Sequence, residues 1–294
     1  MNTTELHIPT NRVRDIEGYF LRELSHLYPA GEIRQMVWML AEAFLGWDKT
    51  AFLLHRDDTV NQSDLLRFHW AAEDLKRERP IQQIIGYTEF CGHRILVDSN
   101  VLVPRPETEE MTTYVGQQWL PTLAGAEILD LCTGSGCIAV ALAAMAPKAT
   151  VYGVDVSERA LAVARENARL NHVEVEFVQC DLLHGDPAVG CDAFDLIVSN
   201  PPYVRQCEKA QMRRNVLEYE PTIALFVDDG DPLIFYRRIG SYAQEHLKRN
   251  GTLVVEINEE LGRETCELFE SQGFATSLMQ DFRGKERMVF ASFN

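Results

Sequence analysis

The chain has 294 residues, 46% hydrophobic and 24% charged, the balance of a globular protein with room for one large domain or two ordinary ones. Its 44 acidic residues outnumber 28 basic ones, and the resulting net charge of −16 is poorly suited to gripping long phosphate backbones through Lys and Arg. No apolar stretch reaches the ~20 residues that span a bilayer, and residues 1–10 lack the basic region and apolar core of a secretory signal. Seven cysteines without a Cys-x-x-Cys pair argue against a disulfide framework or a zinc site, and for a reducing cytoplasm.

Residues 11 to about 79 read as helices. Ile16, Phe20, Leu24 and Leu27 recur at helical spacing, as do Ile33, Val37, Leu40, Ala41 and Phe44, then Leu65, Phe68, Ala72 and Leu75. Trp38, Trp47 and Trp70 lie in or beside these stripes and read as core. Ser63, just before Asp64, reads as an N-cap. We expect a small helical domain over residues 1–80 with no chemistry of its own, suited to holding a partner. Pro80 ends these helices, and residues 84–97 read as a β-hairpin turning at Cys91-Gly92-His93, within a segment 81–103 that bridges two domains. Next comes Val101-Leu102-Val103-Pro104-Arg105-Pro106-Glu107-Thr108-Glu109, leading into a helix to about Leu120. Its charges suit either a solvated helix start, where Glu107 and Glu109 favour the dipole, or the mouth of a binding site.

From Ala126 the pattern becomes strand, loop, helix, repeated. Strands are expected at 127–131, 150–154, 173–178, 194–198, 252–257, 274–279 and 287–293, with helices at 137–146, 157–170, 231–247 and 260–271. This is an α/β chain with a mostly parallel, doubly wound sheet of seven strands over residues 104–294. The last two strands have no helix between them and place an antiparallel strand at or near the sheet edge.

Two loops carry chemistry. Cys132-Thr133-Gly134-Ser135-Gly136 joins the first of these strands to its helix, where glycine permits positive φ and a close approach of ligand to backbone. Asp155 ends the next strand, 19 residues after Gly136, where a carboxylate accepts hydrogen bonds from both hydroxyls of a ribose. Asp130, late in the first strand, is a second polar candidate, suited to a cationic amino-acid tail. With Ala139 in the third position the loop fits a dinucleotide as well as S-adenosylmethionine. The second loop is Asn200-Pro201-Pro202-Tyr203, after the apolar run 194–198. The Asn200 carbonyl and the Pro201 carbonyl can accept the two hydrogens of a planar NH2 on a stiff frame, and Tyr203 offers a flat face. By itself such a turn suits the end of a strand as well as it suits an amide site. Beside the glycine loop it favours methyl transfer to an NH2 over hydride transfer. Cys137 and Cys180 read as core and His93 as a turn residue.

The segments 130–136 and 200–203 together resemble the Rossmann-like S-adenosylmethionine-dependent amino-group methyltransferases. Gln83-Ile84-Ile85-Gly86 with Phe90, the stretch from Val101 to Glu109, and Tyr219-Glu220-Pro221 with Ala224-Leu225 are similar to the peptide chain release factor glutamine N5-methyltransferases of the HemK/PrmC type. The resemblance runs from about Gln82 onward. It implies methionine and ribose against Cys132, Thr133, Gly134, Ser135, Gly136 and Asp155. It puts adenine near Asp181 and Leu182, and the substrate glutamine on Asn200, Pro201, Pro202 and Tyr203, with Asn200 also beside the cofactor. Asn200, Pro201 and Tyr203 are the expected catalytic residues, with no metal. The family often has glycine in place of Cys132 and an aromatic in place of Leu182. The implied partner is a class I release factor, methylated on its Gly-Gly-Gln glutamine; separately, we expect a cytoplasmic monomer that binds neither membrane nor nucleic acid. Other readings of the same residues are N6-adenine methylation of DNA, glutamine methylation of a ribosomal protein, and a non-catalytic sensor of S-adenosylmethionine.

Overall fold

The computed structural model describes residues 10–119 and 125–293. The expected helix end at Leu120 and the reading of residues 1–9 lie outside them. By its own contacts the chain divides into two units, Met1–Gly86 with Arg214–Tyr219, and Tyr87–Arg213 with Glu220–Asn294.

The first unit contains α1 (Val13–Leu24), α2 (Ala30–Leu45), α3 (Lys49–Leu54), α4 (Gln62–Lys76) and α5 (Ile81–Ile85). The expected stripes close on one another, with Ile16, Phe20, Leu24, Ile33, Val37, Leu40, Phe68 and Ala72 fully buried in one cluster. Two residues depart from the stripe reading. Leu27 lies past the end of α1, where helical spacing no longer applies, and is 38% exposed. Trp70 sits two positions from Phe68 and Ala72, off their face of α4, and is 61% exposed. The N-cap of α4 is Asn61, whose Oδ1 accepts from the Asp64 amide at 2.9 Å; Ser63 lies inside the helix. Pro80 precedes a further short helix, so Ile84 and Ile85 are helical and not the start of a strand. Gly86, at φ +88°, terminates it in the left-handed region. Gln83 Nε2 donates to the Tyr219 carbonyl at 2.9 Å, and Tyr219 Oη donates to the Arg77 carbonyl at 3.0 Å. These bonds fasten the distant segment Arg214–Tyr219 to the first unit.

The second unit opens with an antiparallel hairpin, β1 (Tyr87–Phe90) and β2 (His93–Leu96). There follow α6 (Pro106–Trp119), β3 (Glu127–Leu131), α7 (Cys137–Met145), β4 (Thr150–Asp155), α8 (Glu158–Leu170), β5 (Glu176–Gln179) and β6 (Phe194–Ser199). A two-residue parallel pair, β7 (Val204–Arg205) and β8 (Phe226–Val227), brackets α9 (Arg214–Tyr219) of the first unit. The chain closes with α10 (Ile234–His246), β9 (Leu247–Glu256), α11 (Gly262–Ser271), β10 (Phe274–Gln280) and β11 (Glu286–Phe293). Seven strands form one sheet in the order β10-β11-β9-β6-β3-β4-β5. β11 is antiparallel to both its neighbours and the remaining pairs are parallel, so the expected mixed sheet with an antiparallel edge is observed.

The apolar runs build two cores because side chains alternate across a strand. Ile128, Leu196, Val198 and Val254 face one side with Met111 and Val115 of α6, Ile138 and Leu142 of α7, and Ala160 of α8. Leu129, Leu131, Ile197, Leu253 and Val255 face the other with Tyr236 and Ile239 of α10 and Phe269 of α11. The result is a doubly wound sheet covered on both faces. The hairpin belongs to this unit. An isolated hairpin is marginal in water, but here Phe90 and Ile95 are buried in the first core, each contributing about 1.5–3 kcal/mol. Asn167 of α8 clamps it: Leu96 N donates to Asn167 Oδ1 at 2.6 Å, and Asn167 Nδ2 donates to Leu96 O at 3.1 Å.

Candidate active site

The sheet reverses its direction of growth between β3 and β6, and ligands of open α/β sheets bind outside the carboxyl ends of the strands at such a point. Leu131 pairs with Ser199 across these strands, so the two loops singled out in the sequence leave the sheet side by side. Ser199 Oγ donates to the Leu131 carbonyl at 2.6 Å and ties them. A cavity of about 1150 Å³, its open mouth included, lies here.

The loop after β3 is held from beneath. Cys132, Gly134 and Gly136 have φ of 60°, 56° and 76°. A Cβ on Gly136 would lie 2.9 Å from the Ala164 Cβ, so only glycine fits against α8 there. Asp130 is wholly buried and is not on the cavity wall. Its Oδ2 accepts from Thr133 Oγ1 at 2.5 Å and from the Ala139 amide at 3.2 Å, so it shapes the loop from behind. Burial pushes its carboxyl up to about 7. Asn167 Nδ2 also donates to the Ser135 carbonyl at 2.9 Å, which joins loop, α8 and hairpin through one side chain. Asp155 ends β4 with each oxygen holding one backbone amide, Gly134 at 2.9 Å and Ser157 at 2.8 Å. Each of its oxygens keeps a further lone pair. Burial raises its carboxyl above the usual range.

Of the residues expected at the site, Cys132, Thr133, Gly134, Ser135, Asp155, Asp181, Leu182, Asn200 and Pro202 line this one cavity. Asp130, Gly136, Pro201 and Tyr203 do not. The residues present fit a nucleoside cofactor: a carboxylate with spare acceptor capacity, a glycine loop whose Gly134 has open space where a Cβ would stand, and the apolar Leu182 line one cavity. The Leu182 carbonyl is fixed by Arg238 Nε at 2.7 Å.

The turn after β6 is built into a polar chain. Asn200 Nδ2 donates to Thr108 Oγ1 at 3.0 Å, Thr108 Oγ1 donates to Glu256 Oε2 at 2.6 Å, and Tyr203 Oη donates to Glu256 Oε1 at 2.9 Å. Glu256, at the end of β9, is 1% exposed. Burial raises its carboxyl, while its two hydroxyl donors and the Arg287 guanidinium act the other way. The Tyr203 hydroxyl is pushed well above its ordinary value, chiefly by burial. Arg105 Nη2 pairs with the buried Glu220 at 2.6 Å and pins the segment holding Pro104 to the one holding Pro221, both on the cavity wall. Thr108 lines the cavity as well, so the Pro-Arg-Pro-Glu-Thr-Glu stretch takes part in the site as well as starting a helix. Thr108 and Glu256 are the site residues that the sequence reading did not single out. A carboxylate inside the apolar run 252–257, at the end of a parallel strand, was the available signal for Glu256.

Residues 113–219 match the Methyltransferase small domain family and residues 22–86 the PrmC N-terminal domain family. A methyltransferase structure from Pyrococcus furiosus, 20% identical with a TM-score of 0.50 over 69% of this chain and 90% of that one, shares the fold. The release factor glutamine methyltransferase of Flavobacterium psychrophilum is 41% identical over 96% of this chain and 99% of its own length. That of Bacteroides thetaiotaomicron is 36% identical over 94% and 99%. The chain therefore belongs to the release factor glutamine methyltransferase family.

Proposed function

We propose that this enzyme methylates the side-chain nitrogen, N5, of the glutamine in the Gly-Gly-Gln loop of class I release factors, with S-adenosylmethionine as donor. One observation carries the reading: Asn200 donates its NH2 to Thr108 and lines the same cavity as the glycine loop and Asp155. Its carbonyl is thereby left to accept, which suits an NH2 and not a carboxylate or hydroxide.

When bound, S-adenosylmethionine supplies an electrophilic methyl on a sulfonium. Asp155 accepts from the ribose hydroxyls, residues 132–136 line the methionine, and Asp181 and Leu182 border the adenine. A carboxamide nitrogen is a poor nucleophile because its lone pair is delocalised into the carbonyl. Asn200 Oδ1 and the Pro201 carbonyl accept its two hydrogens, fix its direction and favour the positive charge that develops on it. Tyr203 packs on the amide plane with its hydroxyl held by Glu256. Helices of residues 1–80 hold the release factor. We place the work in the cytoplasm, done by a monomer on protein, in keeping with a net charge of −16.

Mass spectrometry of a purified release factor incubated with the enzyme and S-adenosylmethionine tests this. One added methyl on the loop glutamine is expected, and Asn200→Ala should lower its rate by on the order of 10²–10³ with cofactor affinity largely kept. Methyl transfer to DNA with none to the release factor would overturn the reading.

A further inference from the structure

Two buried groups, Thr108 and Glu256, hold Asn200 and Tyr203 from behind. We propose that Glu256, acting through Thr108, sets the hydrogen-bond polarity of Asn200, so that both are positioning residues for the methyl acceptor. The inference rests on the reading that Asn200 receives an amide NH2.

The chain of bonds has only one sense while Glu256 is ionised. A carboxylate only accepts. Thr108 is 2% exposed and has a single hydroxyl proton, which goes to Glu256 Oε2. Its oxygen can then only accept from Asn200, which must present Nδ2 and not Oδ1. An Asn side chain is otherwise nearly symmetric in shape, and turning it over would exchange acceptor for donor. A donor facing the substrate would repel glutamine's NH2 and welcome the carbonyl oxygen of glutamine or a glutamate. The charge of a residue 56 positions away in sequence thus decides which group the site accepts. The second oxygen of Glu256 fixes Tyr203 in the same way, so one carboxylate orients both sides of the clamp. Burial works against the ionised form on which this depends, and the Thr108 and Tyr203 hydroxyls and the Arg287 guanidinium favour it.

The test compares wild type with Thr108→Val, Thr108→Ser and Glu256→Gln. Binding of short Gly-Gly-Gln and Gly-Gly-Glu peptides is measured calorimetrically with S-adenosylhomocysteine present, and methylation of the release factor is followed separately. Thr108→Val removes the hydroxyl and leaves Asn200 free to turn. It should lose at least about tenfold of the preference for glutamine over glutamate, and about 10- to 100-fold in kcat, less than removal of a direct contact. KM for S-adenosylmethionine should not change. Thr108→Ser keeps the hydroxyl and should restore both. Glu256→Gln has one acceptor and one donor in place of two acceptors, so one of its two hydroxyl contacts must reverse. It should lose kcat by about 10-fold or more at wild-type size and shape. Should Thr108→Val fail to fold, as its thermal midpoint and cofactor binding would reveal, Glu256→Gln carries the comparison. Wild-type discrimination and kcat in these variants would overturn the inference alone. A wild type that neither binds the glutamine peptide nor methylates a release factor sinks the proposed function, and the inference with it.

Discussion

Cys132 holds left-handed backbone at φ 60°, a conformation that costs a residue bearing a Cβ about 1–2 kcal/mol. Cys132→Gly removes that strain but gives up the packing of the thiol against the second core and raises the entropy of the unfolded chain. Its unfolding free energy in urea should fall within about 1 kcal/mol of wild type. Cys132→Val, branched at Cβ, should fold less stably than Cys132→Gly. Asp130 gives a pH signature. Its carboxyl stands at 3.8 in an unfolded chain and at about 7 when folded, so its contribution to stability is intact below 3.8 and is lost as pH rises through 7. Asp130→Asn does not titrate and can keep one acceptor for Thr133 and Ala139. Between pH 4 and 7 the stability of the variant relative to wild type should climb, as paired denaturation curves would show; a constant difference would mean that Asp130 is ionised throughout. The sequence displayed the residues whose chemistry is local: two glycines, a strand-ending Asp155, an Asn between a strand and two prolines. It hid Thr108 and Glu256 because their significance lies in each other, 148 residues apart, and in Asn200, 92 residues from Thr108.

At the level of elements, alternation of strand and helix was plain from Ala126 onward, since each buried strand is a short apolar run bounded by turn residues. The first strand of the hairpin was not. Ile84 and Ile85 continue an apolar run into Tyr87, and a short run does not say whether it is helix or strand. The left-handed Gly86 makes the division. Nor did the sequence disclose Asn167, which looks like one more polar residue on an amphipathic helix. In the fold it is fully buried and serves β2 and the Ser135 carbonyl at once. Each buried partner left unmatched costs about 1–3 kcal/mol. Asn167→Ala should therefore lose about 2–3 kcal/mol in urea denaturation. By calorimetry it should also bind S-adenosylmethionine more weakly, because Ser135 lines the cavity. Unchanged affinity would show that the loop keeps its shape without this support.

For the whole molecule, the cavity is lined by residues of the second unit. A ligand at 100 times its dissociation constant stabilises the folded state by about 2.7 kcal/mol. On adding S-adenosylmethionine, slowed hydrogen exchange should concentrate in residues 132–137, 155–157, 180–183 and 200–202, with residues 13–85 changing least. Protection spread evenly over both units would contradict this. Among the described residues no helix is long and apolar enough to cross a membrane. The return of Arg214–Tyr219 to the first unit bears on synthesis. A ribosome adding about 5–20 residues per second has finished residue 86 some seven seconds or more before it reaches residue 219. Throughout that interval the carbonyl of Arg77 and the amide of Gln83 wait for Tyr219, their eventual partner. The amino-terminal helices thus reach their final form only after the glycine loop and the Asn-Pro-Pro-Tyr turn have been translated.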